Sequence, residues 1–193
     1  KMSLLAYEKA DMVTCLYDYA RKLQIELGCP AEKIRVTPNG INVEALAGLP
    51  GKTEEEQQFI NAGAVLRVTP IKDVKTMIQA FAFAKKRVKN MKLWIMGPAD
   101  EDEKYAKECY DLVESLGVKD VEFTGRVNVR DYLGKMDFTL LTSISEGQPL
   151  TILESYAAHK PVITTDVGNC RELIYGNEDG FGDAGILTHI MNI

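Results

Sequence analysis

From residue 59 onward, short apolar stretches alternate with segments of helical periodicity. Strands are predicted from the apolar stretches at 62–66, 92–96, 121–124, 138–142, 162–165 and 186–187. Helices are predicted between them at 73–88, 101–116, 129–134, 149–158 and 170–175. Regular alternation of strands and helices is typical of a parallel sheet that carries helices on both faces. The sequence therefore predicts an α/β domain with a Rossmann-like sheet, in which ligands bind beyond the carboxyl ends of the strands.

The residues before this domain divide into two parts. Short strands are predicted at 10–16 and 34–37, with a helix at 17–27 between them. Turn residues and then a run of acidic and amide side chains follow at 44–58, which is typical of a solvated linker. The sequence therefore predicts a first part at 1–43, a linker at 44–58 and a main domain at 59–193.

The composition of the chain argues against several kinds of binding partner. The chain has 193 residues and a net charge of −5, which argues against a nucleic-acid-binding surface. It contains no apolar run of the roughly 20 residues that a membrane helix needs, and its start does not resemble a signal peptide. The four cysteines form no Cys-x-x-Cys pair, and His159 and His189 are isolated. We therefore expect reduced thiols, a cytoplasmic protein, and no metal cluster.

A strand, a polar turn and a helix are predicted in sequence between residues 138 and 158. Gly147 relaxes the turn, and Pro149 fits the first helical position. The open amino end of a helix carries partial positive charge and favours a phosphate group. Candidate backbone N–H donors at this end belong to Gly147, Gln148, Leu150 and Thr151.

Two carboxylates bracket the predicted helix start. Glu146 lies on the turn, and Glu154 follows eight residues later, just over one turn into the helix. Taken alone, a glutamate within a helix is usually solvated. Together with the helix end, the pair would suit a ligand that combines a phosphate with hydroxyl-rich sugars.

Two cations follow the first strand of the main domain. Arg67 stands at the end of this strand, and Lys72 lies five residues further on, near the next helix start. A guanidinium fork and a mobile ammonium group can converge on one diphosphate, although both could also be solvated surface cations. The Asp-x-Asp pattern within 100–103 lies at a helix start, where acids favour the dipole, so we discount a metal site there. The glycine-rich acidic segment at 179–183 lacks a phosphate-binding lysine and is predicted to be a turn.

The spacing of the two glutamates and their flanking residues resemble a known motif. Glu146-Gly-Gln-Pro-Leu-Thr-Ile-Leu-Glu154, continued by Ser-Tyr-Ala-Ala-His-Lys-Pro-Val and then Ile-Thr-Thr-Asp-Val-Gly168, resembles the donor-site motif of family 4 retaining glycosyltransferases. The resemblance covers nearly the whole chain, and in overall likeness it points to the PelF-like subgroup that builds the Pel exopolysaccharide. Departures are Leu66, Asp73 and His159, at positions where the family often has glycine, and Asn169, where a second glycine is common.

The resemblance implies the carboxyl-terminal, nucleotide-sugar-binding domain of a two-domain GT-B enzyme. Residues 1–43 would then be the last part of the amino-terminal domain, and 59–193 a donor domain that ends before its closing helices. The implied activity is metal-independent transfer of a hexose, with retention, from a nucleotide sugar to a glycan acceptor. The subgroup likeness favours UDP-glucose as donor and exopolysaccharide synthesis as the setting.

The resemblance also implies roles for individual residues. Arg67 and Lys72 would hold the diphosphate, and the backbone around Val127 would contact the base. Glu154 would bind the ribose hydroxyls, and Glu146 would face the transferred sugar. Arg67, Lys72 and Glu146 are thus the predicted catalytic residues.

The resemblance places the acceptor site, and the histidine that usually faces the sugar, in the part of the first domain that this chain lacks. We therefore expect the chain to bind the donor but to transfer little or no sugar, and to associate peripherally with a membrane synthase complex. Two alternatives remain open from the sequence. One is a nucleotide-sugar epimerase of the same two-domain shape, and the other is a non-catalytic nucleotide-sugar sensor or assembly subunit.

Overall fold

The computed structural model describes residues 2–176, 180 and 182–191. The chain separates into two compact units, Lys1–Ile41 and Asn42–Ile193. The division between residues 41 and 42 lies close to the predicted boundary at 43, and the segment 44–58 belongs to the second unit. The turn predicted at 179–183 lies partly outside the described residues.

The first unit is a small α/β element. Its two short strands pair in parallel, with Val13 opposite Ile34, around a core that includes Cys15 and Cys29. The elements of this unit, in chain order, are α1 (Met2–Lys9), β1 (Val13–Cys15), α2 (Asp18–Glu26) and β2 (Ile34–Val36).

The second unit is built on a parallel sheet. In the described part of the chain this sheet has six strands in the order β5-β4-β3-β6-β7-β8. The strands are β3 (Ile60–Val65), β4 (Met91–Met96), β5 (Val121–Gly125), β6 (Phe138–Leu141), β7 (Val162–Thr165) and β8 (Gly185–Thr188). The chain builds outward from β3 to β5, then returns to the other side of β3 to begin β6. The predicted doubly wound α/β sheet is confirmed, and its strand order reverses between β3 and β6.

Five helices within the described residues flank this sheet, namely α3 (Val74–Lys85), α4 (Glu103–Ser115), α5 (Arg130–Leu133), α6 (Leu150–Ala157) and α7 (Cys170–Tyr175). Apolar side chains of α3 and α4 pack with β3 and β4, where Ala62 and Ile95 are fully buried. A second cluster joins β6 and β7 to α6 and α7 through Ile152, Val162 and Ile174. None of the helices within the described residues has the length and hydropathy of a transmembrane span.

The segment predicted as a linker packs along the amino ends of the central strands. The Lys52 ammonium group donates to the Phe59 carbonyl at 2.7 Å and forms an ion pair with Asp137. Phe59 and Asp137 directly precede β3 and β6. A Cβ atom at Gly134 would lie 2.3 Å from the Pro50 carbonyl oxygen, so the two backbones touch. These contacts hold the segment at the amino ends of the strands, which is the end of the sheet opposite the predicted site.

Candidate functional site

A cavity of about 440 Å³ opens at the carboxyl ends of β3, β4 and β5, beside the first turn of α6. Four of the predicted site residues line it, namely Arg67, Lys72, Val127 and Thr151. The wall also contains Met96, Gly97, Pro98 and Arg126. This position beyond the strand ends is where open α/β sheets bind their ligands.

Gly97 brings the loops after β3 and β4 into direct contact. Its φ of +145° is in a region that L side chains rarely adopt, and an added Cβ would lie 1.9 Å from the Leu66 carbonyl oxygen. One residue later, the Pro98 carbonyl accepts a hydrogen bond from Val68 N–H at 2.8 Å. The close approach therefore builds one continuous wall of the cavity and requires glycine at position 97.

Both arginines of the cavity are paired with acids of the loop before α4. Arg67 Nη1 lies 2.7 Å from Glu101 Oε2, and Arg126 Nη2 lies 3.5 Å from Asp100 Oδ1. Asp102 caps α4 by accepting from Tyr105 N–H at 2.9 Å. The two aspartates of the Asp-x-Asp pattern thus form one ion pair and one helix cap.

Lys72 and Glu146 form the least exposed ion pair of the site. Lys72 Nζ donates to Glu146 Oε1, and the two side chains are only 17% and 12% exposed. Ser143 Oγ donates to the same carboxylate oxygen at 2.6 Å. Glu146 does not itself line the described cavity wall but is joined to it through Lys72.

The turn that carries Lys72 is fastened to the end of β6. Thr142 Oγ1 donates to the Lys72 carbonyl at 2.9 Å, and Ile144 N–H donates to the Ile71 carbonyl at 2.8 Å. Asp73 follows in the left-handed region, with φ +45° and ψ +51°, and its carboxylate accepts from Thr76 N–H at 3.4 Å to cap α3. Glycine adopts this left-handed conformation without strain, which explains why the family often has glycine at this position. Aspartate also tolerates the conformation, and its side chain caps α3. His159, another departure from glycine, also has a positive φ of 58°.

The start of α6 differs from the prediction by one residue. Pro149 was expected at the first helical position but is the N-cap, because its ψ of 120° is extended rather than helical. Leu150 and Thr151 are therefore the first two helical residues, and no side chain caps their N–H groups. An uncapped first turn beside the cavity leaves donors for an anion.

The remaining predicted residues lie outside the described cavity wall. Glu154 is half-buried in α6, and burial raises the pKa of its carboxyl group above the usual 4.5. The Gly147 carbonyl accepts from Asn169 N–H at 2.8 Å, which ties the turn to the segment after β7. The other predicted residues that do not line the cavity are Gln148 and Leu150.

A doubly wound sheet with a cation-lined cavity beyond its strand ends defines a Rossmann-like, ligand-binding α/β domain. Residues 56–188 match the family model described as glycosyl transferases group 1, and the chain belongs to this family. The predicted family is thereby confirmed at this level.

Individual relatives agree with this assignment. The amylovoran biosynthesis glycosyltransferase AmsK of Erwinia amylovora is 30% identical over 177 residues, which cover 86% of this chain and 43% of AmsK. The putative glycosyltransferase EpsD of Bacillus subtilis is 31% identical over 112 residues, covering 57% of this chain and 28% of EpsD. The chain thus spans less than half the length of these curated relatives.

Among solved structures, Anabaena HepE in complex with UDP and glucose superposes with a TM-score of 0.80 at 22% identity. The match covers 97% of this chain and 52% of HepE. The fold is therefore that of the GT-B glycosyltransferases, as predicted.

Proposed function

We propose that this chain is the donor-binding part of a retaining glycosyltransferase that transfers glucose from UDP-glucose to a glycan acceptor during exopolysaccharide synthesis. The observation that carries the proposal is the convergence of Arg67 and Lys72 on one cavity, with Thr151 at the start of α6 on its wall. Two cations and an open helix end are the groups that a diphosphate requires.

The proposed catalysis depends on stabilising the negative charge of the leaving group. As the bond between sugar and diphosphate breaks, negative charge grows on the leaving diphosphate. Arg67 can meet it with two N–H groups, Lys72 with a point charge, and Leu150 and Thr151 with backbone N–H groups. Donors that are already positioned stabilise this charge in the transition state, so the proposed reaction needs no metal ion.

Other residues would orient the rest of the donor. The backbone at Val127 on the cavity wall is proposed to face the base, and Glu154 to accept from the ribose hydroxyls. Glu146 is proposed to face the transferred sugar, because it is anchored beside Lys72 and would lie near the bond that breaks. Gly147 and Gln148 complete the turn between the sugar and the diphosphate.

Two relatives support the choice of donor and product. The name of AmsK assigns it to the synthesis of amylovoran, and HepE was solved with UDP and glucose bound. These descriptions concern those proteins, and they make UDP-glucose and a polysaccharide product the proposal for this one. A place in the Pel-type subgroup rests on sequence likeness alone.

The acceptor is proposed to bind a second domain of the whole enzyme. We propose a cytoplasmic location, where nucleotide sugars are made, with peripheral attachment to a membrane synthase complex. The four cysteines, all buried and none in a disulfide, are compatible with a reducing compartment.

Calorimetric titration with UDP, GDP and ADP in the presence of EDTA tests the proposal. We expect selective binding of UDP, weakened more than tenfold by Arg67→Ala because a charged hydrogen-bonding partner is lost. Arg87→Ala is the matched control, since Arg87 is exposed and lies outside the cavity. Equal binding of all three nucleotides, or equal loss in both variants, would contradict the proposed site.

A transfer assay separates the enzyme classes. In the full-length enzyme, UDP release from UDP-glucose should depend on added acceptor. Release without acceptor, together with an altered sugar, would favour the epimerase. An unchanged cellular role in the full-length Glu146→Ala variant would favour a non-catalytic sensor.

A further inference from the structure

We infer that Ser143 is a positioning residue that fixes the orientation of the Glu146 carboxylate. The inference rests on the proposed function, because it concerns how Glu146 meets the transferred sugar. Ser143 Oγ donates to Glu146 Oε1 at 2.6 Å, and Lys72 Nζ donates to the same oxygen. Both hydrogen bonds of the Glu146 side chain to the described residues are therefore made by Oε1. The carboxylate is thus held by one oxygen, which leaves the other for a sugar hydroxyl.

Ser143 is itself fixed from the neighbouring strand. It lies two residues beyond the end of β6, and its side chain is completely buried. Thr165 Oγ1, at the end of β7, donates to the Ser143 carbonyl at 2.6 Å. Thr165 is also buried, so this hydrogen bond is shielded from water. The bond fixes the backbone of Ser143, and from this fixed position the buried hydroxyl donates to Glu146.

The backbone of Glu146 is held from the opposite side. A Cβ atom at Gly168 would lie 2.2 Å from the Glu146 carbonyl oxygen, which shows how closely the turn after β7 approaches. Asn169 N–H donates to the Gly147 carbonyl at 2.8 Å. Because the backbone is fixed, the remaining freedom of Glu146 is rotation of its side chain. Ser143 and Lys72 restrict that rotation.

The two anchors differ in what happens when a donor binds. Lys72 lines the cavity and is assigned to the diphosphate, so the donor competes with Glu146 for its ammonium group. Ser143 is buried and is not among the residues that line the cavity. When Lys72 turns to the diphosphate, Ser143 therefore keeps the carboxylate in place.

The test compares UDP with UDP-glucose, because only the sugar should depend on the orientation of Glu146. We expect Ser143→Ala to leave the affinity for UDP within about twofold of the wild type, and to lower that for UDP-glucose by about fivefold or more. Ser143→Thr, which retains the hydroxyl, should restore the affinity for UDP-glucose. Thr165→Val should reproduce the selective loss, because it removes the hydrogen bond that holds Ser143.

Ser155→Ala is the matched control. Ser155 is equally buried and donates to the Thr151 carbonyl at 2.7 Å, but it does not contact Glu146. This variant should lose a similar amount of thermal stability while keeping the wild-type ratio of the two affinities. If Ser155→Ala lowers the affinity for UDP-glucose relative to UDP as much as Ser143→Ala does, the loss reflects general destabilisation, and the positioning role of Ser143 is wrong.

The outcomes separate the inference from the function on which it rests. If Ser143→Ala and Thr165→Val weaken UDP as much as UDP-glucose, or leave both affinities unchanged, the positioning role is wrong while the donor site stands. If the wild-type chain binds neither ligand, the proposed donor site fails, and the positioning role fails with it.

Discussion

Arg67 and Glu101 form a hydrogen-bonded ion pair at the cavity, with Arg67 Nη1 2.7 Å from Glu101 Oε2. The cation that we assign to the diphosphate is therefore already paired with a carboxylate of the protein. The two side chains are 55% and 37% exposed, so the pair contributes little stability. A diphosphate, which carries more negative charge and can accept from both N–H groups of the fork, should displace Glu101.

Replacing Glu101 should therefore strengthen nucleotide binding. We expect Glu101→Gln to raise the affinity for UDP about two- to fivefold at low salt, because the competing charge is gone. The gain should shrink as salt screens the pair. Glu103→Gln removes the same charge from the exposed first turn of α4 and is the control for a general charge effect. An equal gain in the two variants, measured by calorimetry, would argue against specific competition.

The Lys72–Glu146 pair should behave differently, because it is largely shielded from solvent. Lys72→Met leaves the Glu146 carboxylate without its cation and should lower the free energy of unfolding by roughly 2 kcal/mol. The same variant should weaken UDP binding more than tenfold. The double variant Lys72→Met, Glu146→Gln should recover most of the stability but none of the affinity. Urea unfolding and calorimetry check the two effects, and a double variant as unstable as the single one would contradict the argument.

Glu154 should show a conflict between stability and binding. Burial raises the pKa of this carboxyl group above 4.5, so the folded state holds its proton more tightly than the unfolded state. The contribution of Glu154 to stability therefore falls as the pH rises through that raised pKa. Glu154→Gln should melt at a higher temperature than the wild type at pH 7, and the difference should diminish toward pH 4.

The same variant should bind UDP about tenfold more weakly, since a neutral amide is a poorer acceptor for ribose hydroxyls than a carboxylate. Glu114→Gln, on the exposed face of α4, should change neither property. A Glu154→Gln variant that is less stable at pH 7, or that binds UDP normally, would contradict the assigned environment or the assigned role.

Gly97 should be intolerant of any side chain. In Gly97→Ala the new Cβ would overlap the Leu66 carbonyl oxygen, and φ is unfavourable as well. We expect a loss of more than about 3 kcal/mol in the free energy of unfolding, or failure to fold. Gly117→Ala is the control, because Gly117 also has a positive φ but open space around it. The free energy of unfolding of Gly117→Ala, measured with urea, should be only about 1 kcal/mol lower than that of the wild type.

The central strands β3, β4, β6 and β7 were predictable because they are short, largely apolar runs that are buried or half-buried. The prediction for β7 matches the structure at both ends, and β3 and β4 begin only one or two residues before their predicted starts. Helix starts were less certain, because they depend on single dihedral angles. Asp73 is a good N-cap residue in sequence and is the N-cap of α3, whereas Pro149 was expected at the first helical position and is the N-cap of α6 instead.

The sequence predicted that Arg67 and Lys72 lie together beyond the strand ends, where they line one cavity, but it did not predict which acids pair with them. Arg67 and Glu101 are 34 residues apart, and Lys72 and Glu146 are 74 apart. No local pattern in the sequence links such partners, because their proximity follows from the order of the strands. The bond from Ser143 to Glu146 spans only three residues, and the tight turn at Gly147 was a local signal that could have suggested it.

The reversal of strand order between β3 and β6 has a consequence for the order of folding. β3, β4 and β5 follow one another in the chain and are neighbours in the sheet, so a single crossover joins each pair. β6 also neighbours β3, but the chain passes through β4 and β5 before it forms β6. The pairing of β3 with β6, in which Ala62 lies opposite Phe138, therefore joins residues far apart in sequence. Contacts between residues so distant in sequence lose the most chain entropy and are expected to form late. Lys72 and Glu146 meet across this junction. During refolding, nucleotide binding should therefore appear only with the last kinetic phase, after most of the helical signal has returned.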